Sequence, residues 1–302
     1  MPSDLINNTA HLSFKNVSII GNAVGDINVR NLGYTITFNS TRRPEPNVIN
    51  ICNGPFAGVK GAFLVTNSPD NNWVEQQLEL IAKKIEPQLG CWPSTGLVTL
   101  ILMSMISKQV NVERMALLPN LARHPDMPKD EHLPCIVHNW LGERRIALGL
   151  VLTQTHIKWP ELFFAPLITP SDAEQVKAMD ESNIDIANPF ELLHKVDKKT
   201  DTPTGMMLTF QVSMFKQMAT LSSHQWVAMA STQALTQVEM LFVEPNAEKS
   251  PCAWYFTHSQ TNQYLDAIRH HLAYCQQLIA IASAQEKEKE KEKEHQANNA
   301  RS

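Results

Sequence analysis

Several features are scarce or missing in this 302-residue sequence, and each absence removes a class of function. There is no block of basic residues and the net charge is −4, so the electrostatic footprint that grips nucleic-acid phosphates is missing. Nucleic acid is not an expected partner. The five cysteines, Cys52, Cys91, Cys135, Cys252 and Cys275, are odd in number, scattered and without C-x-x-C spacing. They suit reduced thiols better than a disulfide framework or a zinc site. No histidine cluster has ligand spacing and no Asp-x-Asp occurs, so no metal is expected, neither a transition-metal centre nor the usual magnesium or manganese clamp on a diphosphate. Met1 to Ala10 is polar and has no basic start leading into an apolar core, so a secretory leader is not expected. The longest apolar run, Leu97 to Ile106, is far short of the ~18 residues that cross a bilayer. With 43% apolar residues the chain can bury a normal core, and the reading is a globular, soluble, cytoplasmic protein without a transmembrane segment.

What is present begins with β-branched runs that end in asparagine. Asn16-Val17-Ser18-Ile19-Ile20-Gly21-Asn22 reads as a short buried strand opening on Gly-Asn, and Tyr34-Thr35-Ile36-Thr37-Phe38-Asn39 repeats the pattern before Ser40, Thr41, Arg42 and Arg43. Each asparagine either donates to a ligand from its amide or serves a turn that tolerates a left-handed backbone. The two arginines either meet a phosphate or carboxylate, or are solvated surface charges. Further strands are expected at Asn47 to Cys52, Ala62 to Thr66 and Val110 to Leu118, with a helix from Trp73 to Ile85. Such alternation predicts an α/β fold, a largely parallel sheet flanked by helices in the Rossmann-like manner.

Two stretches carry candidate chemistry. In Cys91-Trp92-Pro93-Ser94-Thr95-Gly96 two hydroxyls and a glycine stand where a helix should begin, offering backbone N–H groups and hydroxyls to a phosphate, or simply a capping serine or threonine. In Cys135-Ile136-Val137-His138-Asn139-Trp140-Leu141-Gly142-Glu143 a histidine follows an apolar run and precedes a helix expected over Asn139 to Leu150. Its imidazole is either a general base for an alcohol or a half-buried cap of that helix.

Taken in order, Ile19-Ile20-Gly21-Asn22, Phe38-Asn39, Pro93-Ser94-Thr95-Gly96 and His138 with Glu143 resemble the signature of sialyltransferases, both the animal-type family and the bacterial lipooligosaccharide family. The resemblance covers about residues 15 to 150, roughly half of the chain. It implies a sialyltransferase-type fold and a glycosyltransferase that moves sialic acid or a related nonulosonate from a CMP-sugar to an acceptor hydroxyl of a glycan, with inversion. It implies that Gly21, Asn22 and Asn39 hold CMP, that Ser94, Thr95 and Gly96 contact the donor, and that His138 is the base with Glu143 orienting it. Arg42 would meet the donor carboxylate. The partners are then a nucleotide-sugar donor and a glycan acceptor, without a further cofactor, and a peripheral contact with the inner membrane is compatible with such an acceptor. The chain departs from the family after Gly-Asn, where Ala23-Val24-Gly25-Asp26 stands in place of an immediately following Gly, Ser or Pro, and it lacks a clear His or Tyr motif before the base, since His124 and His132 have other neighbours. A non-catalytic nucleotide-binding protein of the same fold and another nucleotide-dependent enzyme are the alternatives. A dinucleotide oxidoreductase is disfavoured, because no Gly-x-Gly-x-x-Gly follows the first strand.

The second half partly echoes the first. Thr202-Pro203-Thr204-Gly205 precedes Met206 to Met218, and Val238-Glu239-Met240-Leu241-Phe242-Val243-Glu244-Pro245-Asn246 matches Val112-Glu113-Arg114-Met115-Ala116-Leu117-Leu118-Pro119-Asn120; Pro251-Cys252 and His258 then follow as Pro134-Cys135 and His138 do. This suggests a degenerate repeat. The expected layout is a catalytic α/β domain over 1–158, a second α/β half over 159–284 and a charged Glu/Lys tail over 285–302, where an amphipathic helix from Asn262 to Ala284 runs on into solvent.

Overall fold

The β-branched runs of the first half pair into one sheet. The computed structural model describes residues 12–23, 33–40, 45–54, 57–58, 61–121, 127–128, 131–167, 188–196, 206–247 and 252–299. Strands β1 (Val17–Ile20), β2 (Tyr34–Phe38), β3 (Val48–Asn53), β4 (Phe63–Thr66), β5 (Val110–Glu113) and β6 (Ile157–Lys158) lie in the order β4-β3-β2-β1-β5-β6. All neighbours are parallel except β3 and β4, and β1 sits between Tyr34–Ile36 of β2 and Val110–Glu113 of β5. Every residue of β1 is buried, as expected of a parallel strand covered on both faces. The α/β expectation with a largely parallel sheet holds for this half. One strand is shorter than its sequence implies. The run from Val110 leaves the sheet after Glu113, because Arg114 (φ 57°) and Leu117 (φ 54°) take left-handed backbone that no strand accommodates.

Two helices cover this sheet. Helix α1 (Asn71–Leu89) starts on Asp70, whose carboxylate accepts from Trp73 N at 3.0 Å, and ends on Gly90 at φ 69°, whose N–H returns to Glu86 O. Its apolar stripe Val74, Leu78, Ile81, Ala82, Ile85 and Leu89 follows the helical period and packs the helix on β4 and on the next helix. That next helix, α2 (Thr95–Ile106), buries every residue except Met105 and packs against β1 and β3. It is apolar all round because protein surrounds it. Each Leu or Ile buried there contributes about 1.5–3 kcal/mol by transfer from water.

The chain divides into two compact units, Met1–Leu117 with Ile146–Phe163, and Leu118–Arg145 with Phe164–Ser302. The 158/159 junction expected from sequence therefore falls inside the first unit, while 118–145 belongs with the second. Helix α3 (Trp140–Thr153) contributes its first residues to the second unit and the rest to the first.

The second unit corrects the expectation of another α/β half. Its described residues form helices and no strand: α4 (Pro189–His194), α5 (Met206–Thr220), α6 (Ser223–Met229), α7 (Thr232–Glu239), α8 (Trp254–Thr257) and α9 (Ser259–Asn299). The repeat is not reproduced either, since Val110–Glu113 is a strand while Val238 and Glu239 end α7 and Met240–Phe242 continues as a 3-10 turn. Ser231 decides this locally by accepting from Ala234 N at 3.1 Å, which starts a helix whose Leu235 and Val238 face inward. Helix α9 packs against α5, α6, α7 and α8 around Phe215, Trp226, Trp254, Tyr255, Phe256, Leu265 and Leu272. It continues through the Glu/Lys run, which is solvent-exposed on all sides, as its alternating charges allow.

A polar layer runs through this helical core. Glu239, 2% exposed, accepts from Arg145 Nε at 2.9 Å, Arg145 Nη2 at 3.1 Å and Gln276 Nε2 at 3.2 Å. Asp266 accepts from Arg269 at 2.8 Å and from Leu121 N at 3.0 Å, and Arg269 also donates to the Pro119 carbonyl. Removing one partner of such a group strands the other in a poorly solvated place. Glu239→Ala should therefore lower unfolding stability by about 2 kcal/mol in urea titration, whereas Lys83→Ala, which breaks an exposed pair, should change it by no more than about 0.5 kcal/mol.

Candidate functional site

Strand β1 is where the chain order of the sheet turns round: β2 and β3 lie on one side, β5 and β6 on the other. In open parallel sheets ligands bind outside the carboxyl ends of the strands at such a point. Three strand ends lie at that point. Strand β1 ends in Gly21-Asn22, β2 in Asn39 and β5 in Arg114.

Gly21 is required by packing. Its N–H donates to Glu113 O at 2.9 Å, and a Cβ on it would lie 2.2 Å from the Arg114 carbonyl oxygen. Asn22 is exposed, and its amide makes no hydrogen bond among the described residues. Asn39 takes a left-handed backbone at φ 50°, and its Oδ1 accepts from Asn53 N at 3.2 Å, tying the ends of β2 and β3. The Asn39 amide nitrogen has no partner among the described residues. The turn reading of Asn39 holds, and its amide N–H groups are not used by that turn.

The Pro-Ser-Thr-Gly turn is built differently from an open anion cradle. Ser94 caps α2, accepting from Leu97 N at 3.3 Å, and Ser94 and Thr95 are buried. A Cβ on Gly96 would lie 2.5 Å from Met115 Sδ, so Met115 covers this helix start. Met115 is itself pinned, its N–H donating to Glu161 Oε2 at 2.9 Å and its carbonyl accepting from Trp159 Nε1 at 2.6 Å. The structure therefore brings Gly21 and Gly96 together on Met115. Ser94 spends its oxygen on the cap, and the first turn of α2 is filled by protein instead of facing a ligand.

His138 and Glu143 belong to the second unit. His138 follows a 3-10 turn (Pro134–Val137) in extended backbone, half-buried, with its ring edge-on to Trp140 at 5.3 Å. Capping of α3 falls to Asn139, whose Oδ1 accepts from Gly142 N at 2.9 Å and whose carbonyl accepts from Glu143 N at 2.8 Å. His138 is thereby not the cap of this helix. Glu143 has no exposed surface and stands in the first turn of α3, where a carboxylate meets the positive end of the helix. It can orient neighbours but does not face a dissolved acceptor. Next to it, Arg144 is fully buried with its guanidinium 4.8 Å from the Phe164 ring, and burial lowers its pKa to about 10. Burial also raises the pKa of the Cys135 thiol, partly offset by the Arg269 charge.

Arg42 lies outside the described residues. Arg114, which the sequence reading places inside a strand, is the residue it misses. The guanidinium donates to the Ala23 carbonyl from Nε at 2.7 Å and also from Nη2, so it reaches across the β1 end. The signal was a charged residue directly after the buried β5 pattern, hidden by the apolar run that follows.

The two glycines predict different tolerances. Gly21→Ala meets a backbone carbonyl that cannot yield and should cost about 1–3 kcal/mol in thermal or chemical unfolding. Gly96→Ala meets a thioether that can rotate away and should cost clearly less. Searches against protein-family models, curated proteins and solved structures find no match to this chain.

Proposed function

We propose that the protein is an inverting, metal-independent glycosyltransferase that moves sialic acid or a related nonulosonate from a CMP-sugar to an acceptor hydroxyl. The observation that carries this reading is the β2-β1-β5 edge, where Asn22 and Asn39 hold amide donors without partners among the described residues at the turning point of a parallel sheet. In this reading Asn22 and Asn39 bind the nucleotide, and Gly21 lets the strand end pass close to it. Ser94, Thr95 and Gly96 serve by fixing the turn and Met115 beside that edge. His138 takes the proton of the acceptor hydroxyl while its oxygen bonds to the anomeric carbon. The bond from that carbon to the phosphate oxygen breaks, and CMP leaves with the electron pair. Glu143 acts behind His138 and not on the substrate. A departing monophosphate ester carries its charge on one phosphate, which N–H donors and a fixed cation can meet without a divalent ion. The absence of any Asp-x-Asp from the sequence agrees with this.

Calorimetry on the full chain with EDTA present tests the reading. CMP and CMP-sialic acid should bind and NAD should not, and Asn22→Ala should weaken CMP by about threefold to tenfold, the worth of one hydrogen bond. Asn22 is the better probe because Asn39 also ties β2 to β3. His138→Ala should leave CMP affinity unchanged and reduce transfer by about 10²–10⁴. NAD binding without CMP binding would point to another nucleotide-dependent enzyme, and CMP binding without transfer to any glycan would point to a binding protein.

A further inference from the structure

We propose that Arg114 is the cation that holds the ligand's phosphate at the β1–β5 edge. Three observations converge on it. First, its place: it is the residue at which β5 leaves the sheet, beside Gly21 and Asn22, where a ligand of such a sheet would sit. Second, its bonding: among the described residues its side chain donates only to the Ala23 carbonyl, from Nε and Nη2, and that carbonyl is neutral. Three of the five N–H groups of the guanidinium have no partner among the described residues, and no carboxylate there pairs with it. A guanidinium anchored by a neutral carbonyl, with no acid paired to it among the described residues, keeps its charge and its remaining N–H groups for an anion. Third, its backbone: Arg114 sits at φ 57°, a conformation that favours glycine, while its carbonyl is wedged against Gly21. A long side chain kept in that conformation answers a need other than the turn.

The first turn of α2 cannot do this work, because Met115 covers it. A planar guanidinium with two parallel N–H groups suits the oxygens of a phosphate monoester. The ligand class is therefore a nucleoside monophosphate or an ester of one. The nucleoside part of this assignment rests on the proposed CMP-sugar reading, whereas the anion site itself does not.

The test measures CMP, cytidine, AMP and inorganic phosphate by calorimetry at two salt concentrations on wild type, Arg114→Gly and Arg114→Lys. The expected result is at least a tenfold loss of CMP affinity in Arg114→Gly with cytidine affinity unchanged, and a partial loss in Arg114→Lys. The salt dependence of CMP binding should weaken in Arg114→Gly. Glycine suits φ 57°, so the melting temperature of Arg114→Gly should equal or exceed that of wild type. CMP binding equal to wild type in Arg114→Gly would overturn the proposal and leave the nucleotide reading standing. Equal loss of CMP and cytidine would also overturn it, since Arg114 would then only shape the loop. Arg114-dependent binding of AMP or free phosphate, with no preference for CMP, would keep the anion site and remove the CMP-sugar reading. Wild type that binds none of the four would overturn both.

Discussion

The contact on which the first unit turns is between Gly21 and the carbonyl of Arg114. A β-carbon at position 21 would stand 2.2 Å from that oxygen, so only glycine lets the end of β1 and the exit of β5 run together. That approach has consequences on both sides. It places Met115 over the start of α2, where Gly96 is again the residue without a β-carbon, and it holds Arg114 in left-handed backbone with its side chain across the β1 loop. Glu161 and Trp159 then fasten Met115 by its own N–H and carbonyl. Packing, strain and the candidate site are one arrangement here, since moving the β5 exit would displace all three.

The second unit has a different organising demand. Its helices bury an unusual set of charged and amide side chains, among them Glu143, Arg144, Glu239, Arg269 and Gln276. Glu239 and Asp266 each accept from more than one group, as a poorly solvated charge requires. Helix α9 supplies several of these partners and packs against four of its neighbours. Arg145 meets the Glu239 carboxylate, and Arg269 meets Asp266 and the Pro119 carbonyl. The layer also surrounds the α3 start, so Glu143 is held by structure before any chemistry is asked of it.

Much of the first half was legible. Gly-Asn and Phe-Asn at the ends of short β-branched runs identify strand ends, and the parallel sheet follows from their alternation with helices. The asparagines fall at the carboxyl ends of β1 and β2, beside the point where the chain order of the sheet turns round. The Pro-Ser-Thr-Gly stretch was legible as a helix start but not as to its occupant. Whether a helix N-terminus faces a ligand or a methionine depends on a residue twenty positions downstream, and nothing local to Ser94 encodes that. The second half misled for the opposite reason. Val238 to Asn246 shares its residue types with Val112 to Asn120, yet one forms a helix and 3-10 turn and the other a strand and loop. A strand needs a neighbouring strand to bond to, and helices surround that segment.

By itself the sequence determined the locally encoded parts: which runs are apolar with a two- or near-four-residue period, that helices begin at the Pro-Ser-Thr-Gly turn and after His138, and that the Glu/Lys run suits an exposed helix. These depend on interactions within a few residues, so the order of amino acids suffices. Only the tertiary structure decided that Arg114 closes on Ala23, that Met115 covers α2 and that Asn39 ties β2 to β3. Those contacts join residues far apart in the chain. Their cause is the close approach of strand ends in space, which no local pattern of residues records.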